Sequence, residues 1–339
     1  MGAMVMTACT KRVYKMVDQG EGVGTVPERI VLPPLRPGDT IGLVAPASPF
    51  KPDDYEKAID NARRLGLKVR EGAHLHRKWG YLAGRDEERV ADIHAMYADD
   101  EVRALWCIRG GYGTTRLLPL LDYDFIRNHP KPIIGFSDIT ALMHAVWLRT
   151  GIVQYHGPVA KSTLEGYTGE SFRRVVMAER SETLTIGYAS YEGKDADVYK
   201  PEVISPGDAE GILTGGNLSL LAALCGTDFH WDATGKLVFI EDIGESPYRV
   251  DRMLTQLIDA SNLGKAAGIV LGVFRGCERK PGEESFTLKQ VIRDRLGGLG
   301  VPVFYGFTFG HVSKIATFPI GVWASWHSAK RQLTIHWNK

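Results

Sequence analysis

Cysteine is scarce in this chain. Four residues among 339, none in a Cys-x-x-Cys pair, give no disulfide framework and no zinc site. Cys107 falls inside the apolar run ALWCI and reads as a buried thiol, and Cys9, Cys225 and Cys277 stand far from it and from one another. That usage fits a reducing compartment, so a cytoplasmic location is expected. Charge of one sign is also lacking. Lys and Arg number 41 against 40 Asp and Glu, a net +1 that supplies no basic field for nucleic acid. No apolar run approaches the ~20 residues of a membrane helix, so no membrane partner is expected. Internal repeats and low-complexity tracts are absent. Residues 1–30 lack the pattern of a secretory leader, because their apolar stretch is too short and their positive charges follow it. They are read as a disordered lead.

What is present is an ordinary globular composition, 44% hydrophobic, on a length that suggests two domains. From Asp39 onward, strand-like and helix-like stretches alternate. TIGLVAP, VRALWCI and KPIIGF read as buried strands, and KPDDYEKAIDNARRLG, DEERVADIHAMYADD and SDITALMHAVWLRTG as amphipathic helices. In the last of these, Ile139, Leu142, Met143, Val146 and Trp147 share one helical face. RGGYGTTRLL reads as a glycine turn opening a helix. Continuous apolar strands separated by helices predict a parallel sheet covered on both faces. Residues 158–208 are polar and aperiodic and read as a linker or flap. AEGILTGGNLSLLAALCGTDF then reads as a glycine turn and a helix, KLVFIEDIGE as a strand, and the C-terminal segment as hairpin strands. The expected division is a lead over 1–30, an N-terminal α/β domain over 31–157, a linker or flap over 158–208 and a C-terminal domain over 209–339.

Chemistry in such folds sits in loops at the carboxyl ends of strands. Two loops here have that position. In PIIGFSDITALMHAV, Ser137 stands between a strand and a helix. A serine there can cap the helix through its side chain, or it can be a nucleophile whose neighbouring helical N–H groups steady a developing oxyanion. The motif is G-F-S-D, without the second glycine of G-x-S-x-G. RGGYG, Arg109 to Gly113, follows the preceding strand. It matches neither dinucleotide nor P-loop spacing, but its paired glycines let backbone N–H groups approach an oxygen closely. A serine nucleophile needs a base oriented by a carboxylate. His311, flanked by glycine in FTFGHV, occupies a loop position. His74 and His76 form an H-x-H without a third ligand, and His94 and His144 lie within helices. Glu241, Asp242 and Glu245 compete for the carboxylate role after the strand KLVFI.

Together these stretches, with RPGDTIGLVAPAS, LTGGNLSLLAALCGTDF and FIEDIGESPYRVDRMLTQL in the same order, resemble the LD-carboxypeptidase family of serine peptidases from about Pro34 to the C-terminus. The resemblance implies an α/β fold: a doubly wound parallel-sheet N-terminal domain, a smaller C-terminal α/β domain, and an active site in the cleft between them. It implies Ser137 as nucleophile, Glu241 as orienting acid and His311 as general base, with the backbone N–H groups of Asp138 and Gly111 as oxyanion hole. The implied reaction is hydrolysis of the L-D amide that releases the terminal D-alanine of murein tetrapeptides, without metal or organic cofactor. Family members are often dimers, so a homodimer is an implied possibility.

An exopeptidase must also read a terminal carboxylate, and Arg109 and Arg252 are candidates for it. Tyr112 is a candidate for shaping specificity. Microcin C immunity proteins resemble the same family and cleave an aminoacyl-nucleotide amide instead; there a flap aromatic, from Tyr167, Tyr188 or Tyr191, would stack on the base. A binding protein without turnover and an α/β-hydrolase esterase are the remaining alternatives. The three triad residues speak against the first. The missing G-x-S-x-G speaks against the second.

Overall fold

Runs rich in Val, Ile and Leu become strands here, and the amphipathic stretches between them become covering helices. The computed structural model describes residues 27–192 and 199–339. The first five strands are β1 (Thr40–Val44), β2 (Lys68–Glu71), β3 (Val102–Cys107), β4 (Ile133–Gly135) and β5 (Gln154–His156). They are parallel and lie side by side in the order β2-β1-β3-β4-β5. The order reverses between β1 and β3. That switch point is where folds of this kind place their chemistry, at the carboxyl end of the sheet.

The remaining strands are β6 (Thr183–Gly187), β7 (Glu202–Ser205), β8 (Ala209–Asn217), β9 (Leu237–Ile243), β10 (Gly268–Arg275), β11 (Val303–Tyr305), β12 (Phe318–Ile320), β13 (Trp323–His327) and β14 (Gln332–His336). Eight of these form the second sheet, in the order β6-β14-β13-β8-β9-β10-β11-β7, and its centre from β8 to β11 is parallel. β12 departs from its neighbours in sequence and adds antiparallel to β5, as the sixth strand of the first sheet.

Several expectations are corrected. Residues 158–208 are more than a linker, because they supply β6 and β7 to the two edges of the second sheet, which is the wider one. These strands are only four and five residues long and partly exposed, too short for alternation to stand out in a polar stretch. Of the lead over 1–30, residues 1–26 lie outside the described residues, while Ile30 pairs with Ile152. RGGYGTTRLL opens only two short 3-10 turns, Thr114–Arg116 and Leu118–Leu120.

TGGN is no turn but the end of β8. Gly215 and Gly216 have φ of 141° and 145°. A Cβ on Gly216 would stand 2.5 Å from the Thr140 methyl, and one on Gly215 would overlap the Phe239 carbonyl. Gly216 lets the helix Ile139–Thr150 lie directly on the second sheet, while Gly215 lets β8 run close against β9. For the same reason this helix is buried on nearly every face, not only along the expected stripe. It is the element shared by the two halves.

Candidate active site

The corner after β4 sets the geometry. Ser137 has φ of 64°, in the left-handed region that a serine rarely occupies. Its side chain makes no cap; its carbonyl accepts from Thr140 N–H at 2.9 Å, and the helix begins at Ile139. The turn leaves the Ser137 hydroxyl free to meet His311, whose Nε2 lies 3.0 Å from Oγ. His311 Nδ1 lies 2.8 Å from Glu241 Oε2. Three segments distant in sequence thus converge: the β4 corner, the end of β9, and the loop before β12.

Glu241 is wholly buried. Its Oε1 accepts from Asn217 Nδ2 at 3.2 Å, and the same amide reaches Asp242 Oδ1 at 3.0 Å. Asp242 is otherwise occupied, taking both the N–H and the hydroxyl of Ser219 at 3.1 and 2.8 Å. Burial and the adjacent Glu241 charge push its carboxyl up to about 6. Glu245 points elsewhere, towards Arg249 at 3.4 Å. Of the three competing carboxylates, only Glu241 faces the imidazole. Burial pulls the His311 imidazolium down, but the Glu241 charge and hydrogen bond outweigh it, and the ring is raised above its ordinary value. With Glu241 accepting the Nδ1 proton, Nε2 is the acceptor for the serine hydroxyl.

The RGGYG loop closes over the serine. A Cβ on Gly110 would come within 3.0 Å of the Ser137 Cβ. Gly111 has φ of 125°, and a Cβ there would lie 2.4 Å from Ser48 Oγ. Ser48, in the loop after β1, accepts from Tyr112 N–H at 3.2 Å, so the loops after β1 and β3 are tied together. Thr114 binds the corner itself: its N–H donates to Asp138 Oδ2 at 2.9 Å and its hydroxyl to the Asp138 carbonyl at 2.5 Å. Burial raises the Asp138 carboxyl, against the pull of these bonds. Below, the enclosed Arg89 donates to the carbonyls of Pro46 and Gly113. Asp86 binds Arg89 at 2.6 Å and Arg116 at 2.8 Å. A charged, hydrogen-bonded cradle therefore fixes the turn from Gly110 to Thr114 against the Ser137 corner.

Other expected residues fall as follows. Arg109 donates to the Gly110 carbonyl and to the Pro49 carbonyl, both at 3.1 Å, and so clasps its own loop. Tyr112 is half exposed beside the Tyr81 ring. Arg252 is not brought to the serine; its guanidinium packs on the Tyr248 ring of its own helix. The flap tyrosines have other partners: Tyr167 donates to the Gly187 carbonyl at 2.8 Å, Tyr188 faces Arg331, and Tyr191 is buried against Tyr199. His74 and His76 pair with Asp92 and Glu71. Among the described residues no cluster could hold a metal ion, and no helix is long and apolar enough to cross a membrane. Sequence reasoning missed Asn217 and Thr114. Their only signal was position, each directly after a glycine: Asn217 as the last residue of β8 and Thr114 at the end of the RGGYG loop.

Residues 41–157 match the LD-carboxypeptidase N-terminal domain and residues 210–325 the LD-carboxypeptidase C-terminal domain. A probable murein peptide carboxypeptidase of Bacillus subtilis is 41% identical over 89% of this chain and 92% of its own. A muramoyltetrapeptide carboxypeptidase from Oxalobacter formigenes superposes with a TM-score of 0.75 at 30% identity, covering 87% of this chain and 98% of that one. The structure of MccF in complex with glutamyl sulfamoyl guanosine superposes with a TM-score of 0.80 at 25% identity, covering 90% and 98%. With both domains matched in order and a close relative along most of its length, the chain belongs to the LD-carboxypeptidase family and is a peptide-bond hydrolase.

Proposed function

We propose that this chain is a serine LD-carboxypeptidase that removes the terminal D-alanine of murein tetrapeptides, in the cytoplasmic recycling of peptidoglycan. The observation that carries the reading is the unbroken relay from Ser137 Oγ through His311 to Glu241, at 3.0 and 2.8 Å. In this reading Ser137 Oγ attacks the carbonyl ahead of the D-residue and His311 Nε2 takes its proton. Glu241 stabilises the imidazolium. The N–H groups of Asp138 and Gly111 hold the oxyanion, each such donor lowering the barrier by about 3 kcal/mol. His311 then protonates the leaving amine, and water releases the acyl-enzyme by the reverse path. Arg109 serves by shaping the Gly110–Gly111 turn, and Tyr112 lines the rim where the peptide enters.

The murein substrate is supported by the names of the B. subtilis and O. formigenes relatives. A second reading, cleavage of an aminoacyl-nucleotide amide, is supported by the likeness to MccF in its complex with glutamyl sulfamoyl guanosine. The test is mass spectrometry of murein tetrapeptide incubated with the wild-type chain and with Ser137→Ala. Loss of one D-alanine with the wild type alone is the expected result. If the wild type leaves the tetrapeptide intact but cuts an aminoacyl-nucleotide amide, the second reading replaces the first. Turnover by Ser137→Ala would refute the nucleophile.

A further inference from the structure

Beneath the relay lies a polar group that the reaction does not use. His156 ends β5, opposite Gly135 of β4 and Phe318 of β12. It is fully enclosed, and neither ring nitrogen has a hydrogen-bond partner among the described residues. Its neighbours are aromatic: Phe239 at 5.0 Å, Phe136 at 6.2 Å, Phe309 at 6.3 Å and Phe318 at 6.5 Å between ring centroids. Three of these four are coupled to the reacting residues. Phe136 immediately precedes Ser137, Phe239 precedes Glu241 by two along β9, and Phe309 precedes His311 by two. Phe136 also lies against the His311 ring itself, at 4.8 Å.

Burial drives the His156 ring down to about 4, so it stays neutral at ordinary pH. A neutral imidazole still carries one N–H. Enclosing that donor without an acceptor costs about 1–3 kcal/mol. A phenylalanine there would complete an all-aromatic cluster with no such cost. The ring meets Phe239 and Phe309 at steep angles, 67° and 88°, the T-shaped geometry that aromatic pairs favour over face-to-face stacking. A phenyl ring is wider by one atom, and in a closed cage that width displaces its neighbours.

We propose that His156 is a positioning residue, the compact hub against which Phe136, Phe239 and Phe309 close, so that Ser137, Glu241 and His311 are aligned across the two sheets. It touches no substrate and moves no proton. The stability lost at its unpartnered nitrogen is exchanged for that alignment, as at other functional sites that break a local packing rule. The inference rests on the serine-relay reading above.

The test is the rate at which a fluorophosphonate labels Ser137, which needs no peptide substrate, measured beside the thermal midpoint. His156→Phe is expected to melt close to the wild type, the strain of the wider ring offsetting the relief of the enclosed N–H, yet to label about 10- to 100-fold more slowly, the loss that a shift of ~1 Å in reacting groups produces. His156→Asn, which keeps a donor but loses the ring, is expected to label slowly too. His144→Phe is the control. His144 is equally buried, packs on Trp147 and Trp231 and bonds the Gly215 carbonyl at 2.8 Å, away from the Phe136, Phe239 and Phe309 rings. It is expected to label at the wild-type rate. Wild-type labelling by either folded His156 variant overturns the proposal, as does equal slowing in His144→Phe. Failure of the wild type itself to label would instead overturn the serine relay.

Discussion

Glutamine at position 241 probes the relay at its buried end. Glu241 is enclosed, with Oε2 on His311 and Oε1 on Asn217. Glutamine keeps the shape and removes the charge. Two effects follow. The amide can donate to Nδ1 and hold the wrong tautomer, so labelling and turnover should fall about 10,000-fold, as when the orienting carboxylate of a serine protease is amidated. The titration should move as well. In the wild type the Glu241 charge and hydrogen bond outweigh burial and raise His311. Without that charge burial prevails, His311 falls below its ordinary value, and the acid limb of the pH–rate profile shifts to lower pH.

The same change inverts the contribution of His311 to stability. A raised folded value gives stability that is full below the unfolded value near 6.5 and is lost as pH rises through the folded value. A depressed folded value gives the opposite, stability retained above about 6.5 and lost as pH falls. The deficit of Glu241→Gln should therefore grow towards acid pH. At neutral pH it should be about 1.5–3 kcal/mol, the worth of one charge-assisted hydrogen bond. Thermal melts and fluorophosphonate labelling from about pH 5 to 8 read both effects. Labelling within tenfold of wild type, or an acid limb that does not move, would refute the reasoning.

Three other substitutions follow from the backbone and the core. Ser137→Gly should be about 1 kcal/mol more stable than Ser137→Ala in urea, since glycine accepts the left-handed backbone without steric cost; equal midpoints would contradict strain at the corner. Gly216→Ala should cost about 1–3 kcal/mol, because its methyl meets the Thr140 side chain at 2.5 Å on a backbone with φ of 145°; an unchanged melt would show that the helix can retreat from the sheet. Lys131 donates to the carbonyls of Met96, Tyr97 and Asp99 at 2.9, 2.7 and 2.5 Å, at the end of the helix Asp86–Ala98. Lys131→Met should lower stability by about 1–3 kcal/mol while leaving the labelling rate unchanged, and slowed labelling would count against its remoteness from the site.

The parts of this molecule that were legible in the sequence are those where local pattern and tertiary role agree. β1, β3 and β4 are continuous apolar runs, and the helices Pro52–Arg64, Asp86–Ala98 and Ile139–Thr150 announce themselves by period. The Ser137 corner and the RGGYG loop could be placed at strand ends for the same reason. What the pattern could not supply was contact between segments. Nothing local chooses Glu241 over Asp242; the choice is made by the alternation of β9, which turns Glu241 to the imidazole and Asp242 to Ser219. TGGN looks like a turn because two glycines usually make one, yet here they end a strand, and Gly216 leaves room on it for Thr140 of the covering helix. The edge strands β6 and β7 take their regularity from β14 and β11, partners far away in sequence.

One of those distant partnerships bears on how the chain is made. β12, Phe318–Ile320, closes the edge of a sheet whose other five strands end at His156. During synthesis the first five strands emerge long before the sixth, and the flank of β5 stands open until residue 320 has left the ribosome. An open flank of this kind pairs readily with other chains. A fragment ending before β12 should therefore self-associate, and the amino-terminal half should become protease-resistant only as the last few dozen residues are added. The sheet that carries the Ser137 corner is thus expected to be completed only after Glu241 and His311 have been made.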